Sequence, residues 1–166
     1  MPFAHSGKRI TPYIWLLLAV LIPLLSVYGR SLQRVVKTAM PAGGLALFFV
    51  TLSLLLLAAL TAWFRAQGRS GQIWHLAWLI PLFLLLPLTL PLVEERLHFV
   101  VFGGFGFFSM LLFSPPVAVL VSLAASGLDE ALQWALPDRV GDWRDVGFNV
   151  IASLGGATAA FFGGRK

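Results

Sequence analysis

The stretch SGLDEALQWALPDRVGDWRDVGFNVIASLGG, residues 126–156, decides the fold of this chain. Five of the seven acidic residues in the protein fall within it. The pattern predicts the end of one apolar helix, a polar turn around residues 137–139 and the start of a second helix. Carboxylates in or beside a membrane span are costly to bury, so each of them needs a structural or chemical reason. The functional site is therefore expected in and around this stretch.

The rest of the chain is strongly apolar, which places it among integral membrane proteins. Of its 166 residues, 58% are hydrophobic and only 11% are charged, and the mean hydropathy is +0.87. Because a spanning helix needs about 20 apolar residues, the sequence predicts an all-α, polytopic transmembrane helix bundle in a single domain, residues 1–166. The expected elements are six spans, at residues 12–28, 41–64, 72–92, 94–113, 114–135 and 145–162, and an interfacial amphipathic helix at residues 30–39.

Small residues recur every four positions in the last spans, as they do where membrane helices pack closely. Residues 94–166 are therefore interpreted as the functional core and residues 1–93 as scaffold spans. The prolines of the third span are expected to bend that helix or to end it early.

Composition disfavours several classes of function. The chain has no Cys, which excludes disulfides and thiolate chemistry, and no cofactor is predicted. Its formal net charge of +5 does not indicate nucleic acid, because the basic residues stand at helix ends, where they contact lipid headgroups. There is no Gly-x-Ser-x-Gly elbow, no HExxH motif and no Ser with an evident His base, so serine and two-His metal hydrolysis are disfavoured.

The polar residues of the last three spans are expected to meet at one end of the bundle. The fifth span ends and the sixth begins at the same membrane surface, because only a short loop joins them, and the fourth must start there too. Carboxylates with a His supply acid–base chemistry or oxygen ligands, and an Arg binds phosphate or carboxylate. The predicted catalytic residues are Glu130, Asp145 and His98, and the predicted binding residues are Arg139, Gln133, Asn149, Asp129, Asp142 and Glu95.

Each of these residues also has a purely structural interpretation. Glu95 is placed to complement a helix dipole, Asp142 to cap the last helix, and Asp129, near a helix end, to be solvated. Arg139 is expected to fold back over the ends of the fifth and sixth spans and to pair with Glu130, Asp145 or both.

The order and spacing of these polar residues also resemble a known family. The resemblance is to VanZ-like membrane proteins, and the matching patterns are Asp129-Glu130-x-x-Gln133, Pro137-x-Arg139, Asp145-x-x-x-Asn149 and Glu95-x-x-His98-Phe99. It covers residues 94–156 and departs at Ala152, where the family usually has Gly. It implies a cell-envelope membrane protein associated with low-level glycopeptide resistance, and it implies no established reaction.

Two functions from different classes follow. In the first, the protein binds or acts on an anionic lipid or a lipid-linked cell-envelope precursor through an acidic, amide-rich cleft. In the second, it is a small accessory subunit of a larger membrane complex, and the polar residues form a structural network. Membrane lipids are the expected partners, together with other membrane subunits in the second case, and nucleic acid is expected in neither.

The resemblance implies a bacterial cytoplasmic membrane as the location. Lys and Arg number six on each side of the predicted six-span topology, so a simple count of positive charges does not orient the chain. Discounting Arg96, Arg139 and Arg144, which belong to the polar patch, leaves six against three. The sequence on that basis predicts cytoplasmic termini and an outward-facing acidic end.

Overall fold

The computed structural model describes residues 3–41, 43–90, 93–137 and 141–164, and within these ranges the chain is helical and has no strand. Five helices are long and apolar enough to cross a membrane, which confirms the predicted all-α membrane fold. In chain order the helices are α1 (Phe3–Ala39), α2 (Gly44–Ala66), the short α3 (Leu86–Thr89), α4 (Val93–Leu112), α5 (Pro115–Ala135) and α6 (Trp143–Gly164).

Helix α1 is much longer than a membrane span. Its 37 residues extend about 55 Å at 1.5 Å per residue, against a hydrocarbon core of about 30 Å. The amphipathic residues 30–39 are helical, and they continue α1 instead of forming a separate element. No other segment among the described residues covers their apolar face well, since Val35 is 63% exposed. Their position at the membrane interface stays a prediction.

The predicted third span, residues 72–92, is not one continuous helix among the described residues. It begins as a 3-10 helix (Ser70–Leu76), passes through a π-helical turn (Pro81–Leu85) and ends as α3. Proline explains the break, because its ring clashes with the preceding turn and it has no N–H to donate; Pro81 opens the π-helical turn and Pro87 lies in α3. Ser53 Oγ of α2 donates a 2.8 Å hydrogen bond to the carbonyl oxygen of Phe83, so a neighbouring helix supports this irregular backbone.

This broken segment nevertheless runs from one end of the bundle to the other. At its start, Arg69 donates a 3.1 Å hydrogen bond to the carbonyl oxygen of Phe162, near the C-terminal end of α6. At its finish, Leu90 lines a recess together with Asn149, near the start of α6. The chain therefore passes along the bundle six times. We call the end that holds the start of α1 and the end of α6 the terminal end, and the opposite one, between α5 and α6, the acidic end.

The centre of the bundle is the contact between α4 and α6, where glycine lets the two backbones touch. A Cβ atom at Gly106 of α4 would overlap the carbonyl oxygen of Ser153, and one at Gly156 of α6 would overlap the carbonyl oxygen of Gly103. Ser153 Oγ also donates a 3.2 Å hydrogen bond to the carbonyl oxygen of Phe102. Close approach through small residues is how membrane helices gain packing energy without a hydrophobic driving force.

Helix α1 packs against the same centre. Trp15 stacks on Phe105 of α4 with ring centroids 5.5 Å apart, and its Nε1 donates a 2.9 Å hydrogen bond to Ser109 Oγ. Further along α1, Ile22 and Leu25 are buried in the same apolar cluster as Phe105. Because α1 packs along α4 in this way, its C-terminal half lies at the acidic end of the bundle.

Candidate functional site

The carboxylate of Asp129 is the centre of a buried polar network at the acidic end. Asp129 is only 3% exposed, so the interpretation of it as a solvated residue is wrong. Gln133 Nε2 and Asn149 Nδ2 donate to its Oδ2 over 3.2 and 3.4 Å, and Ser26 Oγ of α1 donates to its Oδ1. Helices α1, α5 and α6 thus each supply one donor to a single carboxylate, which is how an ionisable group is accommodated inside a membrane bundle.

His98 brings the fourth helix, α4, to the same network. Its Nε2 lies 3.6 Å from Asp129 Oδ2 and 3.4 Å from Ser26 Oγ. A serine thus does stand beside a histidine, contrary to the expectation from sequence. The three side chains are not arranged as a catalytic triad, because one imidazole nitrogen faces both the carboxylate and the hydroxyl, whereas in a triad the carboxylate binds the other nitrogen.

A small recess opens beside the network. Its volume is about 20 Å³, which is room for roughly one water molecule. Two apolar residues and five of the predicted site residues line it: Leu90, Phe148, Glu95, His98, Gln133, Asp145 and Asn149. Three of these, His98, Gln133 and Asn149, also contact Asp129, so the network supports one wall of the recess.

Glu130 and Asp142 form a second contact, away from the recess lining. The backbone N–H of Asp142 donates to Glu130 Oε1 across the turn between α5 and α6. Glu130 is 1% exposed, and its Oε2 accepts no hydrogen bond from the described part of the chain. Asp142 caps α6, as its structural interpretation predicted, because its Oδ1 accepts a 2.9 Å hydrogen bond from the backbone N–H of Arg144. Glu130 therefore ties the start of α6 to the end of α5.

Two further arginines were expected at this end from the sequence. Arg139 lies outside the described residues, so its pairing with Glu130 or Asp145 stays a prediction. The Arg144 side chain is 71% exposed, and its Nη1 lies 3.9 Å from Asp142 Oδ2, a distance at which an exposed ion pair contributes little stability.

Arg96 has a role inside the fold. Its guanidinium donates hydrogen bonds of 2.9 and 2.7 Å to the carbonyl oxygen of Leu90, and it lies 5.7 Å from the centre of the Phe49 ring. The arginine thus holds the end of the broken segment against α4, which gives a physical reason to leave it out of a count of lipid-facing charges.

Comparison with known proteins extends the resemblance to nearly the whole chain. The family model described as VanZ/LLP1 matches residues 10–163. The chain belongs to the VanZ/LLP1 family. The match begins in α1 and reaches the last turn of α6, so it also includes the spans before residue 94. No curated protein and no solved structure matches the chain.

Within this VanZ/LLP1 chain, Ser26 is the residue of the network that the sequence does not reveal. It stands in an apolar run of α1, and its acceptor Asp129 lies 103 positions later. A serine in such a helix commonly bonds its own backbone, as Ser26 also does to the carbonyl oxygen of Ile22 at 3.2 Å. No local pattern separates these two roles, because the difference depends on which helix packs alongside.

Proposed function

We propose that this VanZ/LLP1-family membrane protein binds the polar headgroup of an anionic lipid, or of a lipid-linked cell-envelope precursor, at the recess on its acidic end. The observation that carries the proposal is the support of the recess wall: His98, Gln133 and Asn149 line it, and each contacts the buried carboxylate of Asp129. Polar side chains that are held in place by a second set of contacts bind a ligand with a smaller loss of conformational entropy.

The size and charge of the recess limit what enters it. A volume of about 20 Å³ takes roughly one water-sized group, such as a hydroxyl or an amine, and leaves the rest of the headgroup at the mouth. The carboxylates of Glu95 and Asp145 line the recess and favour an amine or a hydroxyl over a phosphate. The phosphate is expected outside the recess, near the exposed Arg144. From the sequence, Arg139 is predicted to supply a second cation there.

Any acid–base step at the recess would use His98 and Asp145. Both line it, whereas Glu130, the third catalytic candidate, is buried elsewhere and accepts a backbone N–H. A histidine and a carboxylate facing one small space can exchange a proton with a bound hydroxyl or amine.

The second candidate function is that of a structural subunit in a larger membrane complex. It is favoured by one observation: the side chain of Asp129 has no exposure, and its donors Ser26, Gln133 and Asn149 all belong to this chain. A polar network that is satisfied internally can serve to specify helix packing without any ligand.

Lipid retention by recess variants separates the two functions. The protein in nanodiscs taken directly from cell membranes is expected to retain one headgroup class, identified by mass spectrometry. Asp145→Asn and Glu95→Gln are each expected to lower that retention about tenfold, the effect of one hydrogen bond to a charged group, and thermal unfolding measured in parallel separates a loss of binding from a loss of stability.

Asp142→Asn is the matched control for these variants. It removes an acid from the same end without touching the recess lining, and Asn caps a helix as well as Asp does. Equal retention by Asp142→Asn, Asp145→Asn and Glu95→Gln would show that the recess binds no headgroup. Co-purification of another membrane chain at fixed stoichiometry would then favour the structural subunit.

A further inference from the structure

A second cavity lies near the terminal end of the bundle, between α2 and the first half of the broken segment. Its volume is about 160 Å³, and its walls include Leu57, Leu60 and Phe64 on one side and Ile73, Ala77 and Ile80 on the other. The irregular backbone of the broken segment forms one of its walls. We call it the apolar groove.

The lining of the apolar groove offers almost nothing for a polar ligand to bind. Its one hydroxyl, on Thr61, donates a 2.8 Å hydrogen bond to the carbonyl oxygen of Leu57 and is thereby satisfied. Hydrocarbon is the chemistry that fits such walls. For comparison, an apolar cavity of about 150 Å³ takes a benzene molecule, so the groove has room for a segment of one acyl chain and not for a helix.

A cation follows the groove lining on α2. Thr61 lines the groove, and Arg65 lies four residues later, so the two share one face of the helix, with Arg65 one turn closer to the C-terminal end of α2. Arg65 is exposed, and among the described residues its guanidinium has no hydrogen-bond or ion-pair partner. The neighbouring Arg69 is engaged differently, because it donates to Phe162 and Gln72.

The two ends of the bundle differ in the sign of the charged residues that they carry. All seven acidic residues stand between positions 94 and 145 of the sequence, and those that the structure describes lie on the segments of the acidic end. The charged side chains on the segments of the terminal end are all basic, and Arg65 and Arg69 are among them. Trp74, also part of the groove lining, is 83% exposed, and exposed tryptophan is typical of the headgroup level of a membrane. Among the described residues, an anion at this level meets positive charge without a competing carboxylate side chain.

We propose that the apolar groove and Arg65 form a binding site for an anionic phospholipid. One acyl chain occupies the groove, and the phosphate pairs with the guanidinium of Arg65 at the membrane surface. The site is independent of the function proposed for the recess, which lies at the opposite end of the bundle.

Titration of delipidated protein with two lipids tests this site. Native mass spectrometry is expected to show phosphatidylglycerol binding about fivefold more tightly than phosphatidylcholine with the same acyl chains, the effect of one arginine near the membrane surface. Arg65→Gln is expected to remove that preference. Arg34→Gln, which removes an exposed arginine from the opposite end, is expected to keep it.

A groove-filling variant tests the acyl chain separately from the charge. Ala77→Phe is expected to weaken the binding of both lipids, whereas Ala58→Phe, at an exposed position of α2 outside the groove lining, is expected to leave it unchanged. Ala77→Leu serves as the milder change if the Phe variant does not fold. Inorganic phosphate is expected not to displace the lipid.

Any of four results would overturn the proposal. The first is equal affinity for the two lipids in the unaltered protein. The second is a preference for phosphatidylglycerol that survives Arg65→Gln. The third is displacement of bound lipid by inorganic phosphate. The fourth is equal lipid binding by the Ala77 and Ala58 variants. Either of these last two results would show that no acyl chain occupies the groove.

Discussion

A carboxylate inside a membrane bundle must find its hydrogen-bond donors within the protein, and Asp129 finds one on each of three helices. Interhelical hydrogen bonds in membranes contribute about 0.6 kcal/mol each on average. Asp129→Ala is therefore expected to lower the free energy of unfolding in detergent by about 2 kcal/mol, since it removes the shared acceptor of three donors.

The neighbouring leucine provides the control for this prediction. Leu128 is 70% exposed, so Leu128→Ala is expected to change the free energy of unfolding by less than about 0.5 kcal/mol. Denaturant titration of both variants, followed by circular dichroism, measures the difference. Similar stabilities for the two variants would mean that the Asp129 network does not hold the four helices together.

Glu130 accepts a backbone N–H across the turn between α5 and α6, and two substitutions test this role. Glu130→Gln keeps an oxygen that can accept the backbone N–H of Asp142, so we expect a loss of stability below about 1 kcal/mol. Glu130→Ala leaves that N–H without its acceptor, and we expect a loss of about 1–3 kcal/mol. Thermal unfolding of the two variants in the same detergent measures this. If Glu130→Gln is as damaging as Glu130→Ala, the contact across the turn is not what Glu130 contributes.

At the scale of the helices, the contact between α4 and α6 depends on the absence of side chains. Gly106→Ala would push a methyl group into the carbonyl oxygen of Ser153, and backbone cannot move aside as a flexible side chain does. We expect a loss of about 1–3 kcal/mol in the free energy of unfolding, the usual cost of overpacking.

Gly147→Ala is the matched change within α6. A Cβ at Gly147 meets nothing within 4 Å, so this variant is expected to be neutral or to gain up to about 1 kcal/mol from its better helix propensity. Thermal unfolding of the two single variants provides the comparison. Equal effects at Gly106 and Gly147 would contradict the close packing of α4 on α6.

The sequence predicts the helices better than it predicts their partners. Hydrophobic runs are local, so five spanning helices could be placed before any contact was known, and prolines such as Pro81 and Pro87 marked the irregular third segment. The hydrogen bond from Ser26 to Asp129 joins residues 103 positions apart, and no local sequence pattern predicts it. The same limit hid the burial of Asp129, because proximity to a helix end predicts solvent only when no other helix covers that end.

At the scale of the whole molecule, the six passages place the start of α1 and the end of α6 at the terminal end, opposite the start of α6. The chain has no Cys, so single cysteines report the topology directly. With cytoplasmic termini, an impermeant maleimide added outside intact cells is expected to label Arg144→Cys and not Ser70→Cys. Both positions are exposed, so a difference in labelling between the two cysteines would reflect their side of the membrane and not burial within the protein.

The other labelling patterns have separate meanings. Labelling of Ser70→Cys alone would keep six passages and reverse the orientation. Labelling of both positions from outside would contradict the topology itself, because it would place the loop after α2 and the start of α6 on the same side of the membrane.

The residues of the Asp129 network are synthesised at different times. A ribosome delivers α1 first, the carboxylate arrives 103 residues after Ser26, and the amide of Asn149 follows 20 residues later. Until α6 enters the membrane, a nascent chain therefore holds an acid with an incomplete set of donors. A stalled or truncated product carries this defect, and the finished protein does not. Completion of synthesis thus supplies the last of the three hydrogen-bond donors to the Asp129 carboxyl group.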